Sequence, residues 1–163
     1  PIAYNEFVFE FLTQHEPDYL TELHELFMQK IIRPQMRPAG FKAIAQHQAA
    51  GHELVGITAT SDFITAPIFR EFGITEIIAT NAEMQAGRYT GKVINTACYQ
   101  QGKLIRLEQW LAGREVSESW AYSDSINDRF LLEYADHAIA VSPDERLAQL
   151  AQQQNWALED WSL

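Results

Sequence analysis

A single cysteine, Cys98, stands in the whole chain, so no disulfide can form within it. Its neighbour Tyr99 marks it as a packed thiol, which suits a reducing cytosol. Positive charge is scarce too: 12 Lys and Arg face 22 Asp and Glu, for a formal net charge of −10 and a pI near 4.8. With no run of like charge, such a surface repels nucleic acid and anionic membrane alike. No apolar run approaches membrane-spanning length, and Pro1-Ile2-Ala3-Tyr4 has neither a basic n-region nor an apolar h-region. The expectation is a soluble, cytoplasmic protein. There is no internal repeat, and Gln152-Gln153-Gln154 is too short to signal more than an exposed helix end. His15, His24, His47, His52 and His137 show no metal-ligand spacing with one another or with Cys98. The initial methionine is also missing, and the chain enters the apolar run Phe7-Val8-Phe9-Phe11-Leu12 almost at once. That start reads as the middle of something longer.

What is present is enough for one good core: 163 residues, 47% of them apolar, make one compact domain with a small appendage the expectation. Helical spacing over 4–14 and 18–32 aligns Tyr19, Leu20, Leu23, Leu26, Phe27 and Ile31 with the earlier phenylalanines. Pro34 and Pro38 then interrupt the pattern and mark a boundary. Beyond Pro38 helices and strands alternate. A helix over 39–50 stops at Gly51, a strand spans 54–57, a helix near 62–72 closes at Gly73, and a strand covers 77–79. A hairpin over 83–95 turning at Gly87, helices over 103–112, 126–134 and 144–154, and strands at 119–122, 138–141 and 157–158 complete the chain. This rhythm predicts an α/β fold with a doubly wound, parallel, Rossmann-like sheet.

In such sheets ligands bind beyond the carboxyl ends of strands, so polar residues following apolar runs are the candidates for chemistry. Thr58-Ala59-Thr60-Ser61-Asp62 follows one strand and precedes a helix. It reads either as a phosphate cradle at a helix amino terminus or as an N-cap formed by Ser61 or Asp62. Asp124-Ser125-Ile126-Asn127-Asp128 follows another strand, with two carboxylates one helical turn apart. They suit a hard cation such as Mg2+, or simply the first turn of a helix. Lys103 opens an amphipathic helix of Leu104, Leu107, Trp110 and Leu111, where the helix dipole disfavours a cation unless an anion is near. A solvated surface lysine is the plainer reading.

Together, in this order, these segments resemble the haloacid dehalogenase (HAD) superfamily of hydrolases, in its phosphoserine-phosphatase-like branch, subfamily IB. The resemblance implies that Thr58 and Ala59 bind the transferring phosphoryl group, that Lys103 neutralises nucleophile and phosphate, and that Asn127 assists phosphate binding. It also implies that Asp124 and Asp128 are the Mg2+ acids. Gly87-Arg88-Tyr89-Thr90-Gly91 and Trp110-Leu111-Ala112 carry the same likeness. Residues 1–33 resemble the rear of a helical cap, and 34–163 the α/β core without its first strand. Two departures stand out. No Asp-x-Asp-x-Thr pattern is present, so the nucleophile is expected upstream of residue 1, and Ser123 stands where the branch usually has glycine.

The resemblance implies a magnesium-dependent phosphatase that hydrolyses a small phosphorylated metabolite through an aspartyl-phosphate. Thr58 and Lys103 are then the catalytic side chains present, and the 163 residues alone are expected to be inactive. Arg33, Arg37 and Arg88 are cationic candidates for an acidic leaving group, or ordinary surface residues. A non-catalytic phosphate-binding or assembly module derived from the same fold is the alternative. A dinucleotide-dependent enzyme fits poorly, because no Gly-rich loop follows an early strand.

Overall fold

The computed structural model describes residues 2–94 and 98–162. Two compact units divide the chain, Pro1–Cys98 and Tyr99–Leu163.

In the first unit, helix α1 (Ile2–Thr13) buries Asn5, Val8, Phe9 and Leu12, the i, i+3, i+4, i+7 positions of one face. Leu20 of α2 (Pro17–Phe27) joins Val8, Phe9 and Leu12 in one core, against which Phe11, Phe63, Ile64, Ala82 and Tyr89 pack. Fully burying each such Leu or Phe contributes about 1.5–3 kcal/mol. The continuous helix expected over 18–32 ends early, at Phe27. Met28–Ile32 form a π-helical turn and Arg33–Gln35 a 3-10 turn, because Pro34 has no N–H with which to extend an α-helical ladder.

Helix α3 (Pro38–Ala49) leads through Gly51, whose φ of +79° suits glycine, into β1 (Val55–Ser61). Helix α4 (Asp62–Glu71) returns the chain to β2 (Glu76–Thr80), which pairs parallel with β1. The strand expected at 54–57 thus runs on to Ser61. The ladder is irregular between Ile57 and Ser61 and resumes where Ser61 meets Thr80. Strands β3 (Ala82–Gln85) and β4 (Arg88–Val93) form the expected hairpin, turning at Ala86 and Gly87, both with positive φ. The last residue of the expected hairpin, 95, lies outside the described residues.

In the second unit, α5 (Gln101–Leu111) precedes a parallel sheet of order β5-β6-β7, formed by Trp120–Ser123, His137–Val141 and Ala157–Glu159. A 3-10 turn (Ile126–Asp128) and α6 (Arg129–Tyr134) connect β5 to β6, and α7 (Glu145–Gln154) connects β6 to β7. Leu132, Ala138, Ala140, Leu147 and Ala151 make the core. The parallel strands with helical crossovers are the α/β architecture expected from the sequence. Among the described residues β1 pairs only with β2, and β5 only with β6, so each keeps one unpaired edge. No helix among the described residues is long and apolar enough to cross a membrane.

Candidate active site

The carboxyl end of β5 carries the acidic segment. Lys103, on the first turn of α5, is 8% exposed and donates from Nζ to Asp128 Oδ1 at 2.5 Å. This carboxylate is the anion that a lysine at a helix amino terminus calls for. The other oxygen, Asp128 Oδ2, accepts from Ser123 Oγ at 2.8 Å, and Ser123 Oγ in turn accepts from the Ser125 N–H. Asp128 is therefore held from both sides and fixes the ammonium in place. Asp124 differs: it is exposed, and its carboxylate has no partner among the described residues.

Asp144, the N-cap of α7, clamps the loop that carries Asp124. Its backbone N–H donates to the Asp124 carbonyl at 2.8 Å, and its Oδ2 accepts from the Ile126 N–H at 2.8 Å. Its Oδ1 accepts from Leu147 N. Burial pushes the Asp144 carboxyl up, but hydrogen bonds from the N–H groups of Ile126, Leu147 and Arg146 prevail and leave it below the usual carboxylate range. Asn127 is exposed and turned back on its own loop, its amide donating to Ser125 Oγ.

The first unit carries the other candidate segment, at the carboxyl end of β1. Thr58 Oγ1 accepts from the Thr60 N–H at 3.2 Å, which leaves its hydroxyl proton to donate. The Ala59 carbonyl is held twice, by Thr80 Oγ1 at 3.0 Å and by the Asn5 amide at 3.3 Å. Ser61 occupies the N-cap position of α4 without a side-chain cap bond. Asp62 is the acid that serves the helix start: it accepts from Phe63 N in the first turn, and also from Ala82 N and the Asn81 amide, tying the start of α4 to the β2–β3 junction.

A family model described as haloacid dehalogenase-like hydrolase matches residues 1–133. The chain belongs to that family. A histidinol-phosphatase from Neisseria meningitidis is 38% identical over 89% of this chain and 68% of its own length. Phosphoserine phosphatase SerB1 from Mycobacterium tuberculosis is 31% identical over 88% of this chain, which spans only 47% of that relative. A crystal structure of a Bordetella pertussis protein of unknown function superposes with a TM-score of 0.91 at 40% identity, covering 97% of this chain and 73% of that one.

For a haloacid dehalogenase-like hydrolase, two polar side chains make contacts that the sequence did not reveal. Ser123 entered only as a departure from glycine, yet it fixes Asp128. Asn5 lay inside an apolar helix pattern, and no local signal tied it to a segment 54 residues away. Of the three arginines, Arg33 is engaged by Glu25 and Glu71, and Arg88 by Glu16.

Proposed function

We propose that this chain is the greater part of a magnesium-dependent phosphomonoester hydrolase acting on a small phosphorylated metabolite, with residues 1–33 the rear of its helical cap. The observation that carries the reading is the buried Lys103 ammonium, anchored on Asp128 four residues from an exposed Asp124 whose carboxylate has no partner among the described residues. A cation that only solvated a helix would not be buried against a carboxylate that is itself held by a serine. The names of the neisserial and mycobacterial relatives, histidinol-phosphatase and phosphoserine phosphatase, support the same reaction class.

The donor set fits magnesium. Two carboxylates of hard oxygen are enough, since Mg2+ keeps several waters and completes its shell with phosphate oxygens. No cluster of three or more His, Cys, Asp or Glu among the described residues offers a closed metal cage. Asp124 is the direct ligand in this reading, with Asp128 and its hydrogen-bonded neighbourhood beside it. The ion supplies positive charge against the phosphoryl oxygens. Thr58 donates its hydroxyl hydrogen to a phosphoryl oxygen, Ala59 and Asn127 line the phosphate's surroundings, and Lys103 offsets charge as the group transfers. The attacking carboxylate comes from an upstream strand bearing an acidic pair, in line with the leaving oxygen.

The test is phosphate release by the longer chain over a panel of small phosphorylated metabolites, with and without magnesium. Magnesium-dependent turnover is expected, falling on the order of 100-fold or more in Asp124→Asn with the fold unchanged. Undiminished activity in that variant overturns the role of Asp124. Hydrolysis by the 163 residues alone at a comparable rate shows the nucleophile to be misassigned. Phosphate binding without turnover in the longer chain favours the non-catalytic module.

A further inference from the structure

Thr80 ends β2 fully buried, and its backbone pairs with Ser61 at the end of β1. A hydroxyl removed from water must find its partners within the protein. Because a carbonyl only accepts and an N–H only donates, the two bonds of Thr80 Oγ1 have fixed senses. It donates to the Ala59 carbonyl at 3.0 Å and accepts from the Cys98 N–H at 3.3 Å. The two bonds together fix the hydroxyl in one orientation.

What the hydroxyl holds is a peptide plane. The ladder between β1 and β2 is irregular from Ile57 to Ser61, so regular strand pairing does not by itself set the backbone of residues 58–60. In a trans peptide the C=O of Ala59 and the N–H of Thr60 are coplanar and point opposite ways. Thr80 holds the carbonyl end, and the N–H end donates to Thr58 Oγ1 at 3.2 Å. With that N–H in front of one lone pair, the Thr58 hydroxyl hydrogen is turned away from it and left to donate elsewhere. Asn5 also reaches the Ala59 carbonyl, but at 3.3 Å and from α1 rather than from the paired strand.

We infer that Thr80 is a positioning residue: through the peptide joining Ala59 to Thr60 it aims the Thr58 hydroxyl hydrogen at the transferring phosphoryl group. The inference rests on the phosphomonoesterase reading above, in which Thr58 is the side chain that touches phosphate. Thr80→Val keeps the shape and loses the donor, so the peptide plane gains freedom to rotate and Thr58 to turn with it.

The experiment is a double-mutant cycle between Thr80→Val and Thr58→Val in the longer chain, on hydrolysis of 4-nitrophenyl phosphate with magnesium. Thr80→Val is expected to lower kcat/KM about tenfold or more when Thr58 is present, because small misplacements of a reacting group are costly. In the Thr58→Val background the same change is expected to cost less than about threefold, since the group it positions is gone. Where turnover in that background falls below detection, the cycle is read on the affinity for inorganic phosphate by titration calorimetry. Thr80→Ser, which keeps the hydroxyl, is expected within about threefold of the wild type. Should Thr80→Val unfold in thermal melts, Thr80→Cys, a weak donor of similar size, carries the same cycle. Equal falls in both backgrounds overturn the inference and make Thr80 a prop for the strand. No fall in the presence of Thr58, or a Thr80→Ser variant as impaired as Thr80→Val, overturns it as well, with the phosphatase reading untouched. Wild-type protein that hydrolyses neither 4-nitrophenyl phosphate nor any other phosphomonoester overturns the underlying reading and this inference with it.

Discussion

Replacing Lys103 by Met removes the cation from an ion pair whose side chains are 10% and 16% exposed. Asp128 then keeps one donor, Ser123 Oγ, for a carboxylate that has little access to water. Removing one partner of a buried pair costs about 3–5 kcal/mol, and the surviving serine bond favours the lower end, about 3 kcal/mol. Against a typical domain stability of about 5–15 kcal/mol that is a large fraction. With a urea m-value of about 2 kcal/mol/M, the unfolding midpoint falls by about 1.5 M. Lys103→Met combined with Asp128→Leu removes both charges, leaves only Ser123 short of a partner, and is expected within about 1 kcal/mol of the wild type. The assay is urea unfolding of the longer chain followed by tryptophan fluorescence, read as a double-mutant cycle. A loss below about 1 kcal/mol in the single variant, or strict additivity, refutes the buried pair. Activity separates the two roles of Lys103: the double variant is expected to be stable and inactive.

Three further outcomes are expected. A Cβ on Gly56 would lie 2.5 Å from Phe69 Cε1, so Gly56→Ala is expected to cost about 1–3 kcal/mol by calorimetry, with Phe69→Leu relieving much of it. Burial, then the neighbouring His52, hold the His47 imidazole below its usual range, and the two rings meet Nδ1 to Nδ1 at 2.8 Å. The unfolded chain therefore takes up protons first as pH falls from about 6.5, and stability declines until the folded-state value is passed. His47→Gln flattens that slope in pH-dependent urea melts, and an unchanged slope contradicts the assignment. Ser123→Gly restores the residue that the resemblance expects but removes the donor to Asp128, and is expected to cost about 1 kcal/mol or more with turnover reduced, read by thermal melting and kinetics.

Local pattern and stereochemistry made much of the fold legible. The i, i+3, i+4, i+7 apolar spacing of α1, the glycine at Gly51 and the βα alternation beyond Pro38 act over a few residues, and each is visible in the string of letters. Lys103, Asp124 and Asp128 were legible as chemistry for a similar reason: a cation at a helix start, and two carboxylates close together, are each costly unless opposite charge answers them. The sequence could not say what answers it. That Lys103 meets Asp128 across 25 residues, that Ser123 holds the far oxygen, and that Asn5 reaches Ala59 with its own oxygen unsatisfied are long-range placements. They depend on how strands register and helices pack, so tertiary structure alone decided them. The same holds for β1, which the sequence ended at Ile57 and which the ladder resumed at Ser61–Thr80 carries further. Periodicity reports which face a residue lies on, whereas a hydrogen bond depends on where that face is brought, and that is settled by contacts between residues far apart in the chain.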